Sequence, residues 1–327
     1  MELAILIVCL GLLFDYTNGF HDAANVVSTV IATRVLAPLT AIILAGILNT
    51  VGATQISGVA QTISTGLVES EAASQLMILS ALLGAIGWNF LTWYFGIPSS
   101  STYALVGGLI GAALIGKGPG VVLWNGLIMK VVIPMVLSPL AGFILAFFVM
   151  KLLQLYTKKR AAKGNSPLFR HLQIGSASVV ALAHGLNDAQ KSMGIITLGL
   201  FAANLVPTTV IPIWVILSCA LVMGLGTAFG GWRIIRTVGF EITKIAPVQG
   251  FAAEATASCV ILVASFLGMP VSSTHMIVGS VTGVGAAKGA KAVKWLTAKK
   301  LTLAWILTLP GAALVSGLFY FLIHIFI

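Results

Sequence analysis

Charge is what this sequence has least of. Only 8% of its 327 residues are Asp, Glu, Lys or Arg, while 58% are hydrophobic; an ordinary soluble domain carries roughly a quarter charged residues. No soluble core could hide that much apolar surface, so a soluble globular domain is excluded. Cysteine is nearly absent as well. Cys9, Cys219 and Cys259 lie inside apolar segments without a CxxC pattern or a His spacing, which reads as packing and says nothing of redox compartment. Neither a GxSxG elbow nor an HExxH pair occurs, which argues against an intramembrane hydrolase.

What is present is apolar length. Runs at 2–14, 36–60, 76–95, 103–116, 121–150, 205–229, 255–271 and 301–327 recur from end to end, and several reach the roughly 20 residues needed to cross hydrocarbon. The expected fold class is an all-α polytopic membrane protein of about ten spans. The first run opens with acidic Glu2, lacks a basic leader and flows into a polar motif, so it reads as a first span and not a signal peptide. The net charge of +10 does not imply a nucleic-acid partner, because Lys and Arg cluster in short loops between spans.

The polar stretch Lys151 to Arg170, with Lys158, Lys159, Arg160, Lys163, Gly164, Asn165 and Pro167, divides the chain into repeats expected at 1–150 and 171–327. Residues 96–111 read GIPSSSTYALVGGLIG and residues 268–283 read GMPVSSTHMIVGSVTG, matching at an offset of 172. Upstream, Asn18-Gly-Phe-His-Asp-Ala-Ala-Asn25 answers His184-Gly-Leu-Asn-Asp-Ala-Gln-Lys191 at an offset of 166. Two motifs repeated in the same order mark a tandem duplication. The basic linker and the basic loop Lys288, Lys291, Lys294, Lys299, Lys300 should both be cytoplasmic. The second half then crosses an odd number of times, its duplicate starts outside, and the halves become inverted-topology repeats with broken or re-entrant helices. Both termini are expected outside, in a multi-pass protein of the cell membrane.

Carboxylates inside a bilayer cost about 2.5–3.5 kcal/mol on insertion scales and usually serve an ion pathway. Asp22 and Asp188, at corresponding places in both repeats, fit that role better than a surface or capping role. Oxygen ligands such as Asp22, Asn25, Asn187 and Asp188 suit Na⁺, and Asp alone suits a proton. The Pro98-Ser-Ser-Ser-Thr102 and Pro270-Val-Ser-Ser-Thr274 segments read as helix starts, with Pro in the first turn. Unpaired N–H groups and the positive dipole end there suit an anion.

These motifs resemble the signature elements of the inorganic phosphate transporter family, which includes bacterial low-affinity phosphate transporters and eukaryotic sodium–phosphate cotransporters. The segments Glu241-Ile-Thr-Lys-Ile-Ala-Pro247 and Gly250-Phe-Ala-Ala-Glu254 are similar to its second-half pattern. The resemblance implies phosphate held by Ser100, Ser101, Thr102, Ser272, Ser273 and Thr274, and coupling cations near Asp22, Asn25, Asn187 and Asp188. It implies no catalysis and no cofactor beyond a coupling H⁺ or Na⁺. Two departures stand out: Lys191 is the repeat partner of Asn25, and His21 stands where many sodium-coupled members have Asn. An ammonium near Asp188 can replace one Na⁺ and pair with phosphate, and His21 titrates near physiological pH. The pattern is similar to the bacterial, proton-coupled branch, so the expected activity is proton-coupled phosphate symport, with sodium-coupled symport and an anion channel as alternatives.

Gln190, Glu254 and His275 are secondary candidates. His275 either lines the site or is buried and hydrogen-bonded across helices, and no metal site is assigned. The expected partners are inorganic phosphate, free or as a divalent metal complex, membrane lipid, and a second copy in a homodimer.

Overall fold

The computed structural model describes residues 1–55, 58–159 and 166–326. Among them every regular element is helical, apart from one isolated antiparallel bridge between Val68 and Val122. The order is α1 (Glu2–Ala32), α2 (Pro38–Ala53), α3 (Val59–Thr65), α4 (Gln75–Tyr94), α5 (Ser101–Lys117), α6 (Trp124–Leu127) and α7 (Ile133–Lys159), with a π turn over Ile128–Val132 between the last two. Then follow α8 (Pro167–Ala202), α9 (Ile213–Phe229), α10 (Trp232–Phe240), α11 (Pro247–Phe266), α12 (Ser273–Lys288) and α13 (Trp295–Phe326).

Helices α1, α4, α6 with α7, α11 and α13 are long and apolar enough to cross a bilayer, and α9 with α10 adds a span bent by 70°. The expected count of about ten is reached by adding α2, α5, α8 and α12. The polar motif of α8 lowers its hydropathy although it runs 36 residues. Helices α2, α5 and α12 have only 16 or 17 residues, which at 1.5 Å per residue is short of a hydrocarbon core of about 30 Å. Burial sorts the spans: α4 and α11 are 61% and 67% buried, whereas the α6–α7 unit and α13 are each 28% buried and present their Leu, Ile and Phe side chains outward.

The basic stretch after residue 150 is less of a linker than its composition suggests. Leu152, Gln154 and Leu155 favour helix, and α7 continues through them to Lys159 before α8 begins at Pro167. Arg160, Lys163, Gly164 and Asn165 lie outside the described residues.

Helix contacts recur in matching pairs between the first and second halves of the chain. Helix α13 lies along α5 as α7 lies along α12, α1 lies on α9 as α8 lies on α2, and α4 meets α5 as α11 meets α12. Direction reverses between equivalents. Ile7 sits against Gly199, Gly11 against Ile196, and Asp15 against Ser192, so α1 and α8, which carry the repeated Asp motif, run antiparallel. Tyr103 and His275, matched by the repeat, touch each other with ring centroids 5.1 Å apart.

Two of the three apolar clusters flank the polar interior. One is built from α4, α5 and the first half of α1; the other from α7, α11, α12 and the second half of α1. The starts of α1 and α4 meet the end of α8 on one face, and α13 ends beside α5 on the same face. That face carries Lys117 and Lys130 with Glu2, Glu69 and Glu71. The opposite face, where α7 ends and α8 begins, carries Arg34, Lys151, Arg170, Arg233, Arg236, Lys244, Lys288, Lys291, Lys294, Lys299 and Lys300.

Candidate functional site

The site begins with two chain reversals. Helices α4 and α11 end at Gly96 and Gly268, repeat-matched residues with φ of 65° and 66°, a left-handed conformation that only glycine adopts freely. The chain then runs back into the protein, and α5 and α12 start in its interior. Ser100 and Ser272 are the N-caps, accepting from the backbone N–H of Tyr103 and His275, each at 3.3 Å. Pro98 and Pro270 stand two residues before these caps and not in the first helical turn, as the sequence had suggested; there they hold the approach extended. The free N–H groups at each start are those of Ser101 and Thr102, and of Ser273 and Thr274.

Both helix starts converge on Asp22 of α1. Its carboxylate accepts from Ser101 Oγ and from Thr274 Oγ1, each at 2.9 Å, so hydroxyls from opposite halves meet on one side chain. His21 Nδ1 lies 3.4 Å from the same carboxylate and its Nε2 lies 3.3 Å from Thr92 Oγ1. Asn25 Nδ2 donates to Thr274 Oγ1 at 2.8 Å and reaches Ser273 Oγ at 3.5 Å.

The second half repeats this with one change. Lys191, the counterpart of Asn25, donates to Thr102 Oγ1, the counterpart of Thr274, at 2.5 Å. Its Nζ also meets Asp188 Oδ1 at 2.5 Å and the Val271 carbonyl at 3.0 Å. Lys191 is wholly buried, so it does not snorkel to a surface. Asn187 donates to Ser265 Oγ at 2.7 Å and toward the Met269 carbonyl at 3.4 Å, tying α8 to the second reversal. Thr102 also donates to the Val271 carbonyl at 3.2 Å, so the two reversals touch. Thr92 is 6% exposed and every other one of these side chains at most 2%; both faces are closed over the centre.

The remaining sequence candidates sit elsewhere. Gln190 donates to the Gln55 carbonyl at 2.7 Å and accepts from Ala60 N of α3 at 3.4 Å. His275 stacks on Trp305 at 4.1 Å and lines a largely apolar cavity of about 470 Å³ beside α7 and α13. Neither of its ring nitrogens has a hydrogen-bond partner among the described residues, so its contacts are those of packing and not of a hydrogen bond across helices. Glu254 accepts from Thr29 Oγ1 at 2.6 Å, Gln173 Nε2 at 3.0 Å and Ser176 Oγ at 2.5 Å, toward the basic face.

Several residues were not singled out by the sequence. His184 joins Asp22 and Asp188: each offers a ligand atom, and these lie within 4.8 Å of one another. His184 Nε2 is 3.7 Å from Asp188 Oδ2 and its Nδ1 is 3.1 Å from Asn49 Oδ1. Asp15 is buried and accepts from Ser192 Oγ at 2.6 Å. A signal for it was present: Asp15, Asn18, Asp22, Asn25 and Thr29 recur at alternating spacings of three and four, one face of α1, and all five are buried.

A centre with paired carboxylates, a buried ammonium and two opposed helix starts can hold an anion beside a cation. A protein of Bacillus subtilis named "Probable low-affinity inorganic phosphate transporter" is 44% identical over 325 residues, covering 98% of this chain and 97% of its own. A Rhizobium meliloti protein of the same name is 43% identical over 317 residues, covering 96% and 95%. A solved structure described as "the sodium-dependent phosphate transporter" superposes with a TM-score of 0.86 at 26% identity, over 100% of both chains. The sequence model of the phosphate transporter family matches residues 18–166 and 156–316, and with nearly the whole chain thus accounted for, this protein belongs to that family.

Proposed function

We propose that this phosphate transporter, which is not an enzyme, is a proton-coupled symporter working by alternating access about the Asp22–Asp188 centre. The observation that carries the reading is the Lys191 ammonium, bonded to Asp188, Thr102 and the Val271 carbonyl. It takes three oxygens suited to a sodium ion and supplies one fixed positive charge. His21 and His184 lie beside the two carboxylates.

In this reading phosphate enters between the starts of α5 and α12, met by the hydroxyls of Ser101, Thr102, Ser273 and Thr274, their free N–H groups and Lys191. The Ser100 and Ser272 hydroxyls serve as caps. Asp22, Asn25, Asn187, Asp188 and His21 form the coupling side. Coupling is required because each charge moved through the potential involves about 2.3 kcal/mol per 100 mV, so a divalent anion entering a negative-inside cell faces about twice that. A divalent metal ion entering with phosphate would meet Asp22, His184 and Asp188; dependence of uptake on added Mg²⁺ separates complexed from free phosphate.

Labelled phosphate uptake into proteoliposomes tests the proposal. Accumulation above equilibrium under an imposed pH gradient is the expected result; equilibration insensitive to any gradient makes the protein a channel. Sodium coupling is the second reading, favoured by the name of the structural neighbour, and accumulation under a sodium gradient alone would establish it.

The basic face, including the segment around residues 151–170, is assigned to the cytoplasm and both termini to the outside of the cell membrane, from the charge asymmetry. Residues 1–150 and 171–327 are then inverted repeats about an in-plane axis. A membrane-impermeant thiol reagent should reach a cysteine placed at Lys117 but not one at Lys291 from outside intact cells.

A further inference from the structure

The reading above leaves Asp15 unused. It lies on α1 two turns before Asp22 and on the same face, no part of it reaches solvent, and its repeat counterpart is Ala181. Ser192 donates to Oδ1 at 2.6 Å. Oδ2 has no hydrogen-bond partner among the described residues, and neither has either amide atom of Asn18, one turn nearer the centre.

The groups that bear on it are few. The ionisable side chains on the inward face of α8 are His184, Asp188 and Lys191, and α9 brings Cys219. Its own helix brings Tyr16, His21 and Asp22; α2 brings no titratable group; and Tyr94 of α4 is at that helix's opposite end. An ionised carboxylate held by a single hydroxyl is uncompensated in a dry interior. A hard metal cation would need several more oxygen ligands than this position offers. A proton needs none.

Ser192 follows Lys191 in the chain, which makes the protonation of Asp15 consequential. With Asp15 neutral, the ammonium stays bonded to Asp188 and ties Thr102 and Val271 to it. With Asp15 ionised, a second carboxylate pulls the same ammonium toward the face that carries the termini. We propose that Asp15 is a proton-binding site on that side of the centre, and that its proton commits Lys191 to Asp188 and both chain reversals. This rests on the proton-coupled reading.

The test uses the full-length protein in proteoliposomes, as wild type, Asp15→Asn, Asp15→Glu and Ser192→Ala. Two measurements are made: accumulation of labelled phosphate under an imposed pH gradient, and exchange of internal for external phosphate without a gradient. The expected result is that Asp15→Asn keeps exchange but loses gradient-driven accumulation, and that Asp15→Glu restores it. Accumulation by Asp15→Asn with the wild-type pH profile overturns the proposal. If Asp15→Asn does not fold, Ser192→Ala decides: a displaced pH profile supports the proposal and a superimposable one overturns it. A wild type driven by sodium and indifferent to a pH gradient overturns the coupling reading itself, and that outcome is visible before any variant is compared.

Discussion

Replacing Lys191 by Asn gives the second repeat the residue that the first has at Asn25. In the native protein Nζ makes three contacts of 2.5 to 3.0 Å in a fully buried setting. Removing one partner of a buried ion pair costs about 3–5 kcal/mol, because the other charge is left uncompensated. At about 2 °C per kcal/mol for a chain of this size, melting should fall by about 6–10 °C in a sodium-free choline buffer. The vacated oxygens of Asp188, Thr102 and Val271 then resemble a cation site, as the carboxamide of Asn25 leaves room at Asp22. A cation that binds only the folded state at a hundred times its Kd contributes about 2.7 kcal/mol, which at the same conversion restores about 5 °C. The assay is thermal unfolding of purified protein in detergent, with NaCl titrated against choline chloride at constant ionic strength. Wild type should respond less steeply than Lys191→Asn. A variant that melts with the wild type in choline, or that ignores sodium, would refute the role given to this ammonium.

Asp22→Asn removes the charge on which Ser101 and Thr274 converge; coupled phosphate uptake should drop to background while the protein still folds, and normal coupled uptake would contradict the cation role. Gly185→Ala sets a Cβ 2.1 Å from the Asn49 carbonyl oxygen, which forces α2 from α8 at a cost of about 1–3 kcal/mol or more. Gly175→Ala, with nothing within 4 Å, should instead leave melting unchanged or raise it by about 0.5–1 kcal/mol of stability, and equal behaviour of the two variants would show that this helix contact is not tight. Ser100→Ala and Ser272→Ala each remove a cap worth about 1 kcal/mol and should lower melting alike; Ser101→Ala with Thr274→Ala should raise the KM for phosphate more than either, and the reverse ranking would move the anion to the caps.

What the sequence revealed about the site follows from what duplication exposes. Asp22 and Asp188, and the starts of α5 and α12, stood out because each has a counterpart at a constant offset. The polar serines at those starts are also the residues a helix needs for its first turn, so motif and local structure agreed. Asp15 has Ala181 as its counterpart, and comparing the halves is blind to a group that only one half carries. His184 escaped for a related reason: its counterpart is Asn18, and its place between the carboxylates depends on α1 and α8 crossing antiparallel. Gln190 lies inside the repeated motif yet on the side of α8 that faces α3. Sequence adjacency to Lys191 could not distinguish those two sides without the helix register. The helical reach of Lys151 to Lys159 was masked by their charge.

Two identical inverted halves would make the two faces of the centre equal in free energy, since exchanging the conformations of the halves exchanges the faces. This chain departs from equality at charged positions: Lys191 against Asn25, Asp15 against Ala181, and Glu254 against Leu82. Their placement is itself uneven. Asp15 and Ser192 lie toward the face with the termini, where the Asp15 carboxylate accepts from the chain neighbour of Lys191. Glu254 lies toward the basic face, held by three neutral donors from α1 and α8. A difference of about 1.4 kcal/mol between the two orientations is a tenfold difference in their populations, and one altered contact of a buried charge is enough to supply it. On the proposed reading, phosphate would bring negative charge to Lys191 and compete with Asp188 for it. Lys191, one of the positions at which the two repeats differ, would then be the residue on which substrate and coupling ion act together.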